Sequence, residues 1–463
     1  MPLRFPTIAL LMLAVATATQ ADLSDRIDAI VRSEMTRQRI PGVAVAVVQK
    51  GKVVKSQGYG YANVEHAVPV TAETMFQSGS VGKQFTSALV MMLVEDGQIS
   101  LDASVRDYLT DAPESWQAIK IRHLLTHTSG IPDYLAGTID QRRDYTEDQL
   151  AQIAYTLPLE FPPGSRWNYS NTGYLLLGVV IHRASGQFYG DLLRERVFRP
   201  LGMKTARVIS EADIVPHRAA GYQLVDGEVK NQDWVAPSLN TTADGALYLS
   251  LEDYIAWDRG LRAGALLKPA SWSQIYTPVR LTSGNPYPYG FAWRVEEVAD
   301  QQVYRHGGAW QGFETHIARF LGDDLTIVVL TNLADAEPSV IVDAIAGLYN
   351  PGLARVEPKP ITDTEPQVTA QLVTLLGRVG HGTLGPAEFA YVPAGYFPDV
   401  MDGYHTLLQA RAAPKDVQLL ERSQLGDDRI YHYIVTYPGD TSFDVTLSLA
   451  PDDRLSGLDI SEK

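Results

Sequence analysis

The chain has 463 residues, of which 45% are hydrophobic and 20% are charged, a composition sufficient for one large globular domain or several ordinary ones. Its formal net charge of -15 is spread without a basic block, which excludes nucleic acid and anionic membrane surfaces as expected partners. Since there is no cysteine, disulfides, thiol catalysis and thiolate metal sites are excluded as well.

The N-terminal residues 1–21 have a pattern of their own. Arg4 precedes an apolar run over residues 8–16, and small residues follow as far as Ala21. This order is typical of a secretory signal peptide cleaved near Ala21, and the apolar run is too short to span a membrane. We therefore expect an exported protein, periplasmic or secreted, that keeps no membrane span after cleavage.

Apolar periodicity predicts a first helix over 24–38 and then a hairpin of two strands, 43–48 and 53–57. A long and mostly helical region follows, with helices expected over 80–95, 147–156, 172–185, 189–197 and 251–262. Strand patterns return only near the end of this region, at 302–305, 313–320 and 325–330. One more helix is expected after them, over 338–349.

Strands at both ends of residues 22–350 predict an α+β domain: an antiparallel sheet closed by sequence-distant strands, flanked by helices, with a mostly helical lobe inserted. We expect a site in the cleft between the lobes. Residues 351–366 have the proline, threonine and acidic residues of a linker. Residues 367–463 are predicted to form a small α+β accessory domain, helical over 366–412, with strands at 417–422, 429–437, 442–449 and 455–460.

Ser80-Val81-Gly82-Lys83 opens the helix expected over 80–95 and places a hydroxyl one turn before an amine. Residues three apart on a helix are neighbours, so both side chains are expected on one face. Burial lowers the pKa of a lysine, and the start of a helix favours negative charge developing on Ser80. The pair is a candidate activated nucleophile, although the pattern is common by chance and also fits an N-cap serine followed by a solvated lysine.

A second motif, Tyr169-Ser170-Asn171, precedes the helix over 172–185. A tyrosine hydroxyl near a lysine ammonium is expected to ionise more readily, so Tyr169 is a candidate for taking the serine proton and returning it to the leaving group. The amide of Asn171 is a candidate for holding a substrate carbonyl. Tyr61-Ala62-Asn63 has the same spacing, which shows how little the pattern specifies alone.

The third motif, His306-Gly307-Gly308-Ala309, follows the strand expected over 302–305. Its two glycines allow close approach of the backbone to a ligand. The N–H of Ala309, on an edge strand, is a candidate partner for that of Ser80 in an oxyanion hole. Taken alone, a histidine such as His306 is more often structural than catalytic.

Other side chains fit a site less well. Ser78 and Ser129 have no lysine three residues on, and Ser78 stands where the nucleophile elbow of α/β-hydrolases has glycine. The ten histidines include no metal-binding helical pair, so neither a metal nor a cofactor is expected. Four aromatic residues are expected either to line the cleft or to pack in the core: Trp293, Tyr304, Trp310 and Phe313.

With these three motifs in this order, residues 25–350 resemble the superfamily of serine beta-lactamases and penicillin-binding proteins. The class C-like branch, which also contains D,D-carboxypeptidases, D-aminopeptidases and carboxylesterases, is the most similar. Stretches outside the motifs agree as well, at 121–130, 163–164, 174–178 and 328–332. The first of them contains His123 and His127, which look like scaffold rather than chemistry.

The resemblance implies that Ser80 is the nucleophile of an acyl-enzyme, that Lys83 and Tyr169 transfer protons, and that Asn171 binds substrate. It implies a substrate-binding role for the third motif too, from His306 through Gly307 and Gly308 to Ala309. Many beta-lactamases have lysine where this chain has His306, and imidazole is a weaker fixed cation near neutral pH. This departure favours peptidases and esterases over efficient beta-lactamases.

The expected function is an exported serine hydrolase that cleaves a peptide, D-amino-acid-containing peptides included, or an ester through an acyl-enzyme on Ser80. A class C-like beta-lactamase is the alternative among enzymes, and a non-catalytic penicillin-binding sensor is the alternative of another class. The expected partner is a small-molecule or peptide substrate, while no protein partner is indicated. Substrate choice is expected to depend on the loop over 134–144 and on the shape of the cleft.

Overall fold

The computed structural model describes residues 20–463, so the predicted signal peptide lies almost entirely outside the described residues and stays a prediction. The helices are α1 (Gln20–Gln38), α2 (Lys83–Glu95), α3 (Ile121–Leu125), α4 (Glu147–Tyr155), α5 (Asn171–Ser185), α6 (Tyr189–Leu193), α7 (Arg199–Leu201), α8 (Leu251–Arg262), α9 (Pro269–Ile275), α10 (Pro338–Tyr349), α11 (Pro366–Gly380) and α12 (Met401–Leu408). The strands are β1 (Gly42–Gln49), β2 (Lys52–Asn63), β3 (Val68–Pro69), β4 (Phe76–Gln77), β5 (Arg207–Val208), β6 (Tyr222–Val225), β7 (Glu228–Asn231), β8 (Leu247–Leu249), β9 (Val279–Arg280), β10 (Pro286–Tyr287), β11 (Arg294–Val298), β12 (Gln301–Trp310), β13 (Phe313–Phe320), β14 (Leu325–Thr331), β15 (Asp416–Leu425), β16 (Asp428–Thr436), β17 (Ser442–Leu449) and β18 (Leu455–Glu462).

A seven-stranded sheet in the order β11-β12-β13-β14-β1-β2-β3 lies at the centre of residues 20–350. β1 runs antiparallel to β14 and pairs Val43 with Thr331, so the two ends of this region meet in the middle of the sheet. The α+β class and the closure of the sheet by sequence-distant strands are therefore confirmed. Short pairings of β4 with β8 and of β8 with β5 form a separate small sheet.

The two faces of β1 differ in side-chain size, because successive residues of a strand point to opposite sides. Val43, Val45 and Val47 belong to the core that α1 and α10 cover. Ala44 and Ala46 face the other core, which contains α2. Residues 83–93 of α2 are all buried, so the helix that begins at Lys83 is held on every side.

The inserted lobe is mostly helical, as predicted, and α5 is its central helix. Residues 172–181 of α5 are all buried, and the helix packs against α2, α3 and α4. Ser170 caps its N-terminus, since the Ser170 Oγ accepts the Gly173 N–H at 3.3 Å. The N-terminal ends of α2 and α5 meet, because Lys83 donates a hydrogen bond to Asn171.

Residues 366–463 form a separate core. α11 and α12 pack with a four-stranded antiparallel meander in the order β15-β16-β17-β18. Buried and half-buried residues alternate along β16, with Tyr431, Tyr433 and Val435 inside. No residue of this core belongs to either core of residues 20–350.

These C-terminal residues contact the segment that precedes the second motif. Arg166 donates to both carboxylate oxygens of Asp428, at 2.9 and 3.1 Å, and its guanidinium lies 4.4 Å from the ring centre of Tyr391. The Ala394 N–H donates to Glu160 at 2.6 Å. The C-terminal region therefore fixes the position of residues 160–166, which lead into the second motif.

Several predicted elements need correction. The helix expected over 80–95 begins with a 3-10 turn, Gly79–Gly82, before α2. The stretch 366–412 is not one helical run, because α11 and α12 are separated by irregular chain that contains prolines at 386, 393 and 398, a short 3-10 turn, Pro386–Glu388, and a π-helical turn, Tyr396–Val400. β12 continues through the third motif to Trp310, and β11, which is rich in charged residues, was not predicted at all.

Candidate active site

Ser80 and Lys83 meet through the turn that joins β4 to α2. Ser80 lies in the 3-10 turn and Lys83 is the first residue of α2. In a 3-10 turn residues three apart eclipse one another, which directs both side chains the same way. The Lys83 Nζ lies 3.0 Å from the Ser80 Oγ. The spacing therefore brings amine and hydroxyl together, through a tighter turn than the predicted α-helical one.

Lys83 is fully buried, and oxygen acceptors surround its Nζ. Besides contacting Ser80, it donates to the Asn171 Oδ1 at 2.7 Å and to the backbone carbonyl of Asp244. Burial lowers the pKa of Lys83 to about 8, against the opposing charges of Asp244 and Asp133. A large fraction of the amine is therefore neutral near pH 8 and able to accept a proton.

Asp133 fixes the orientation of Asn171. The Asp133 Oδ2 accepts both the backbone N–H and the side-chain Nδ2 of Asn171, each at 2.9 Å. The amide oxygen of Asn171 is then left to face Lys83. Asp133 lies in the loop after the scaffold stretch, and no motif in the sequence marks it, because the contact joins residues 38 apart.

Tyr169 lies beside Ser80 and Lys83. Part of the side chain reaches the surface, but the hydroxyl is buried, makes no hydrogen bond of regular geometry among the described residues, and interacts with the Ser80 hydroxyl. Burial raises the pKa of Tyr169 far above its usual range, and the nearby Ser80 hydroxyl lowers it by less. The expectation that the lysine makes Tyr169 easier to ionise is therefore wrong, because desolvation is the largest influence on its pKa, although the Lys83 Nζ lies 5.0 Å from the ring centre. The neutral phenol is free to donate.

The third motif borders the cleft as an open strand edge. β11 pairs with β12 only as far as Arg305, so residues 306–310 have a strand neighbour on one side only, β13. A Cβ at Gly308 would lie 2.8 Å from the Ser80 N, and one at Gly79 would lie 2.5 Å from the Ala309 N. These two glycines let the amides of Ser80 and Ala309 come close. Gly307 differs, because a Cβ there would make an ordinary contact, 3.5 Å from His316.

His306 is 5% exposed, and protein groups occupy both of its ring nitrogens. Its Nδ1 lies 2.5 Å from the Gly307 carbonyl and its Nε2 lies 2.8 Å from the Tyr289 hydroxyl. Burial lowers the pKa of His306 to about 3, so the ring is neutral near pH 7. The expectation of a weak fixed cation at this position is therefore corrected: His306 offers no charge to a substrate carboxylate.

A chain of hydrogen bonds joins the second motif to the third. The Ser170 N–H donates to the His127 Nδ1 at 3.1 Å, so neutral His127 carries its hydrogen on Nε2, which faces the Tyr289 hydroxyl at 3.1 Å. Tyr289 in turn donates to His306, which donates through Nδ1 to Gly307. Burial holds the pKa of His127 well below its usual value. His127 is a positioning residue in this arrangement, and Tyr289 is a partner that sequence reasoning missed.

A cleft beside Ser80 is open to solvent on one side. Of the four aromatic candidates, Trp310 lines it, while Trp293 and Phe313 are buried in the core and Tyr304 stacks on Tyr276 with ring centres 4.2 Å apart. The motif residues Ser80, Asn171 and Ala309 share the wall with residues that no motif marked, among them Tyr134, Leu135, Leu239, Thr242 and Asp244.

The competing candidates have other surroundings. Tyr61 is 47% exposed at the far end of β2. Ser78 is buried and donates to the Gly245 carbonyl at 2.8 Å, and Ser129 is buried and accepts a backbone N–H. Within residues 20–463, no three histidine or acidic side chains are grouped as a metal site. Over the same residues, no helix combines the length and the apolar character needed to cross a bilayer.

The sequence is similar to those of several curated proteins. The chain is 28% identical to penicillin-binding protein 4* of Bacillus subtilis over 305 residues, which span 62% of this chain and 67% of that protein. It is 30% identical to a D-aminopeptidase of Gluconobacter oxydans over 353 residues, 74% of this chain and 66% of the relative. The match thus spans about two thirds of the length of these curated relatives.

The fold recurs in the octameric penicillin-binding protein homologue from Pyrococcus abyssi, with a TM-score of 0.62 and 21% identity. That likeness covers 95% of this chain and 98% of the other, so it includes the C-terminal region. The model of the family described as Beta-lactamase matches residues 27–349, which contain all three motifs. Since this match takes in well over half of the sequence, the chain belongs to the beta-lactamase family.

Proposed function

We propose that this protein is a serine hydrolase that cleaves an amide or ester bond through an acyl-enzyme on Ser80. The observation that carries the proposal is the 3.0 Å contact between the Lys83 Nζ and the Ser80 Oγ, with burial lowering the pKa of the amine to about 8. An amine of that pKa accepts a proton near neutral pH, which activates the hydroxyl. Family membership and the likeness to a D-aminopeptidase support the same chemistry.

In the acylation step, neutral Lys83 keeps two N–H groups on Asn171 and on the carbonyl of Asp244. Its lone pair is then left for the proton of Ser80. The Ser80 oxygen forms a bond to the substrate carbonyl carbon, and the amides of Ser80 and Ala309 stabilise the charge that develops on the carbonyl oxygen. The bond to the leaving group breaks as the tetrahedral intermediate collapses.

Tyr169 supplies the proton that the leaving group needs. Its phenol is protonated and makes no hydrogen bond of regular geometry among the described residues, so the O–H is available to a leaving nitrogen or oxygen. Because burial makes the phenolate costly, Tyr169 receives a proton from Lys83 as it gives up its own. Deacylation repeats these steps with water in place of the serine hydroxyl, which regenerates Ser80.

Peptides and esters fit this site better than beta-lactams do. Beta-lactam antibiotics carry a carboxylate, and His306 is neutral and occupied by Tyr289 and Gly307. The likeness to a D-aminopeptidase supports peptide substrates, those with D-amino acids included. Turnover of short esters and aminoacyl amides is therefore expected to exceed that of a chromogenic cephalosporin.

The test is covalent labelling of the full chain with a fluorophosphonate probe, followed by mass spectrometry of the modified peptide. We expect attachment at Ser80 and its loss in Ser80→Ala. Ser78→Ala is the matched control, since Ser78 lies two residues away and its buried hydroxyl donates to the Gly245 carbonyl. Absence of label on folded wild type, or label that survives Ser80→Ala, would contradict the proposal.

We further propose that residues 22–350 form the hydrolase domain, 351–366 a linker and 367–463 an accessory domain. The separate core of the C-terminal residues supports this division. Limited proteolysis is expected to cut within 351–366 and to release two stable fragments. Export, which rests on the sequence of residues 1–21 alone, predicts a mature N-terminus near Asp22 in protein recovered from outside the cytoplasm.

A further inference from the structure

A carboxylate in the wall of the cleft has no part in the proposed reaction. Asp244 lines the same cavity as Ser80 and is 8% exposed. Its Oδ2 accepts the hydroxyl proton of Tyr134 at 3.0 Å. Lys83 contacts the backbone carbonyl of Asp244, and among residues 20–463 no lysine, arginine or histidine forms an ion pair with the carboxylate.

A carboxylate that is nine-tenths buried without a cationic partner is costly, so such groups are usually paired. The charges of Asp244 and Asp133 both act on Lys83, the nearby buried amine. In the proposed reaction Lys83 is neutral at the moment of attack, which leaves these two carboxylates without a compensating charge beside the reacting bond. A cationic group on the substrate would supply it.

We propose that Asp244, with Tyr134, binds the primary ammonium group of the substrate's acyl residue. The substrate class is then amino-acid amides, esters and peptides whose amino terminus is free, and this inference rests on the proposed function. An ammonium offers three donors, and a carboxylate is its strongest neutral-pH acceptor. Tyr134 holds one oxygen of Asp244, and the other oxygen has no described partner.

The position fits the geometry of an aminoacyl group. The α-nitrogen of such a group is two bonds from the carbonyl carbon that Ser80 attacks, so its binding group must share the cavity with Ser80. Asp244 does so, next to the apolar side chains of Leu135 and Leu239. A buried charge left unpaired by an analogue without the ammonium penalises that analogue strongly.

The test compares methyl esters of alanine and of lactic acid, each as the D and L enantiomer, with the full-length enzyme. The two esters share a leaving group and nearly a size, and differ in an ammonium against a hydroxyl. We expect the alanine ester to have a kcat/KM about 100-fold or more above that of the lactate ester in the wild type. The preferred enantiomer is a second result of the same assay.

Asp244→Asn is expected to lower kcat/KM for the alanine ester by about 100-fold and to change that for the lactate ester by less than about threefold. Limiting values fitted from full pH profiles are compared, because removing the charge of Asp244 also lowers the pKa of Lys83 and because the α-ammonium of the alanine ester loses its proton at about pH 8. Asp140→Asn, which removes an exposed carboxylate that does not line the cavity, is the control and should change neither ester.

The outcomes separate the two levels of the proposal. Equal rates on both esters in the wild type, or equal losses on both in Asp244→Asn, overturn the ammonium site while Ser80 labelling stays intact. Absence of both ester hydrolysis and labelling overturns the serine hydrolase itself. If Asp244→Asn does not fold, the wild-type enzyme decides. Hydrolysis of the lactate ester is measured with alaninamide or lactamide as the inhibitor, and equal inhibition by the two overturns the ammonium site.

Discussion

Two buried nitrogen bases stand in the cleft region, and their surroundings give them opposite properties. Lys83 faces the Ser80 hydroxyl, and burial leaves its pKa at about 8. His306 faces Tyr289 and the Gly307 carbonyl, and burial takes its pKa to about 3. The same desolvation converts an amine into a usable base and keeps an imidazole permanently neutral, because their ordinary pKa values lie on different sides of neutrality.

The partners of each nitrogen complete the difference. Lys83 keeps a contact with the nucleophile, whereas both nitrogens of His306 are engaged by groups that do not react. A motif position occupied by a histidine therefore does not by itself indicate a cation or a base. We expect the rate of the reaction to depend on Lys83. We expect His306 to affect only the positioning of the groups around the site.

The largest expected effect is at Lys83. Lys83→Met keeps an unbranched side chain, one atom shorter, and removes the amine, so Ser80 loses its proton acceptor. We expect kcat to fall by about 10³-fold or more, for esters and amides alike. Steady-state kinetics and the rate of fluorophosphonate labelling measure it, with circular dichroism as the check on folding. Retention of most activity would mean that another group takes the serine proton.

Tyr169→Phe should affect rate and stability in opposite directions. Loss of the proton donor is expected to lower kcat by about 10²-fold for amides and by less for esters with good leaving groups. Because the hydroxyl is buried and makes no hydrogen bond of regular geometry, its removal should leave the free energy of unfolding unchanged or raise it by up to about 1 kcal/mol. Kinetics on both substrate types and thermal unfolding test this. A clear loss of stability would show that the hydroxyl has a partner after all.

The pH profile distinguishes the two bases directly. Only deprotonated Lys83 accepts the serine proton, so kcat/KM for a substrate without an ionisable group should rise with pH and level off above about 8. Below that value it should fall about tenfold per pH unit. His306 is neutral well above its pKa of about 3 and adds no step between pH 5 and 9. A step near pH 6.5, the ordinary histidine value, would contradict this assignment.

The short motifs of the site were readable from the sequence because they are local. Ser80 and Lys83 are three residues apart, and Tyr169 and Asn171 are two apart. Their supports were not readable, because tertiary contacts bring them in: the carbonyl of Asp244 reaches Lys83 across 161 residues, and Asp133 reaches Asn171 across 38. The state of protonation was out of reach for the same reason, since burial sets it.

The fold shows the same division. The strands β1 and β14 are mostly apolar and buried, and β13 buries its apolar residues in an alternating pattern at its start, so both their existence and their place in one sheet could be predicted. β11 was missed, because its Arg-Val-Glu-Glu-Val sequence keeps a single residue, Val295, in the core. The third motif was expected just after a short strand, with Ala309 on an edge strand, and the strand β12 runs through the whole motif to Trp310. Close packing against Ser80 requires the glycine at 308.

The smallest effect on the rate is expected at Tyr289, which contacts His127 and His306 rather than the reacting groups. Tyr289→Phe removes the hydroxyl that links His127 to His306, leaving a buried N–H and a buried ring nitrogen without partners. We expect a loss of about 1–3 kcal/mol in the free energy of unfolding and a fall of about tenfold or less in kcat. The step near pH 8 should stay in place, because Lys83 keeps all its contacts. Thermal unfolding and the pH profile of the variant measure the two sides together. A shifted step would mean that the histidine chain takes part in proton transfer, and the separation between a reacting lysine and a positioning histidine would no longer hold.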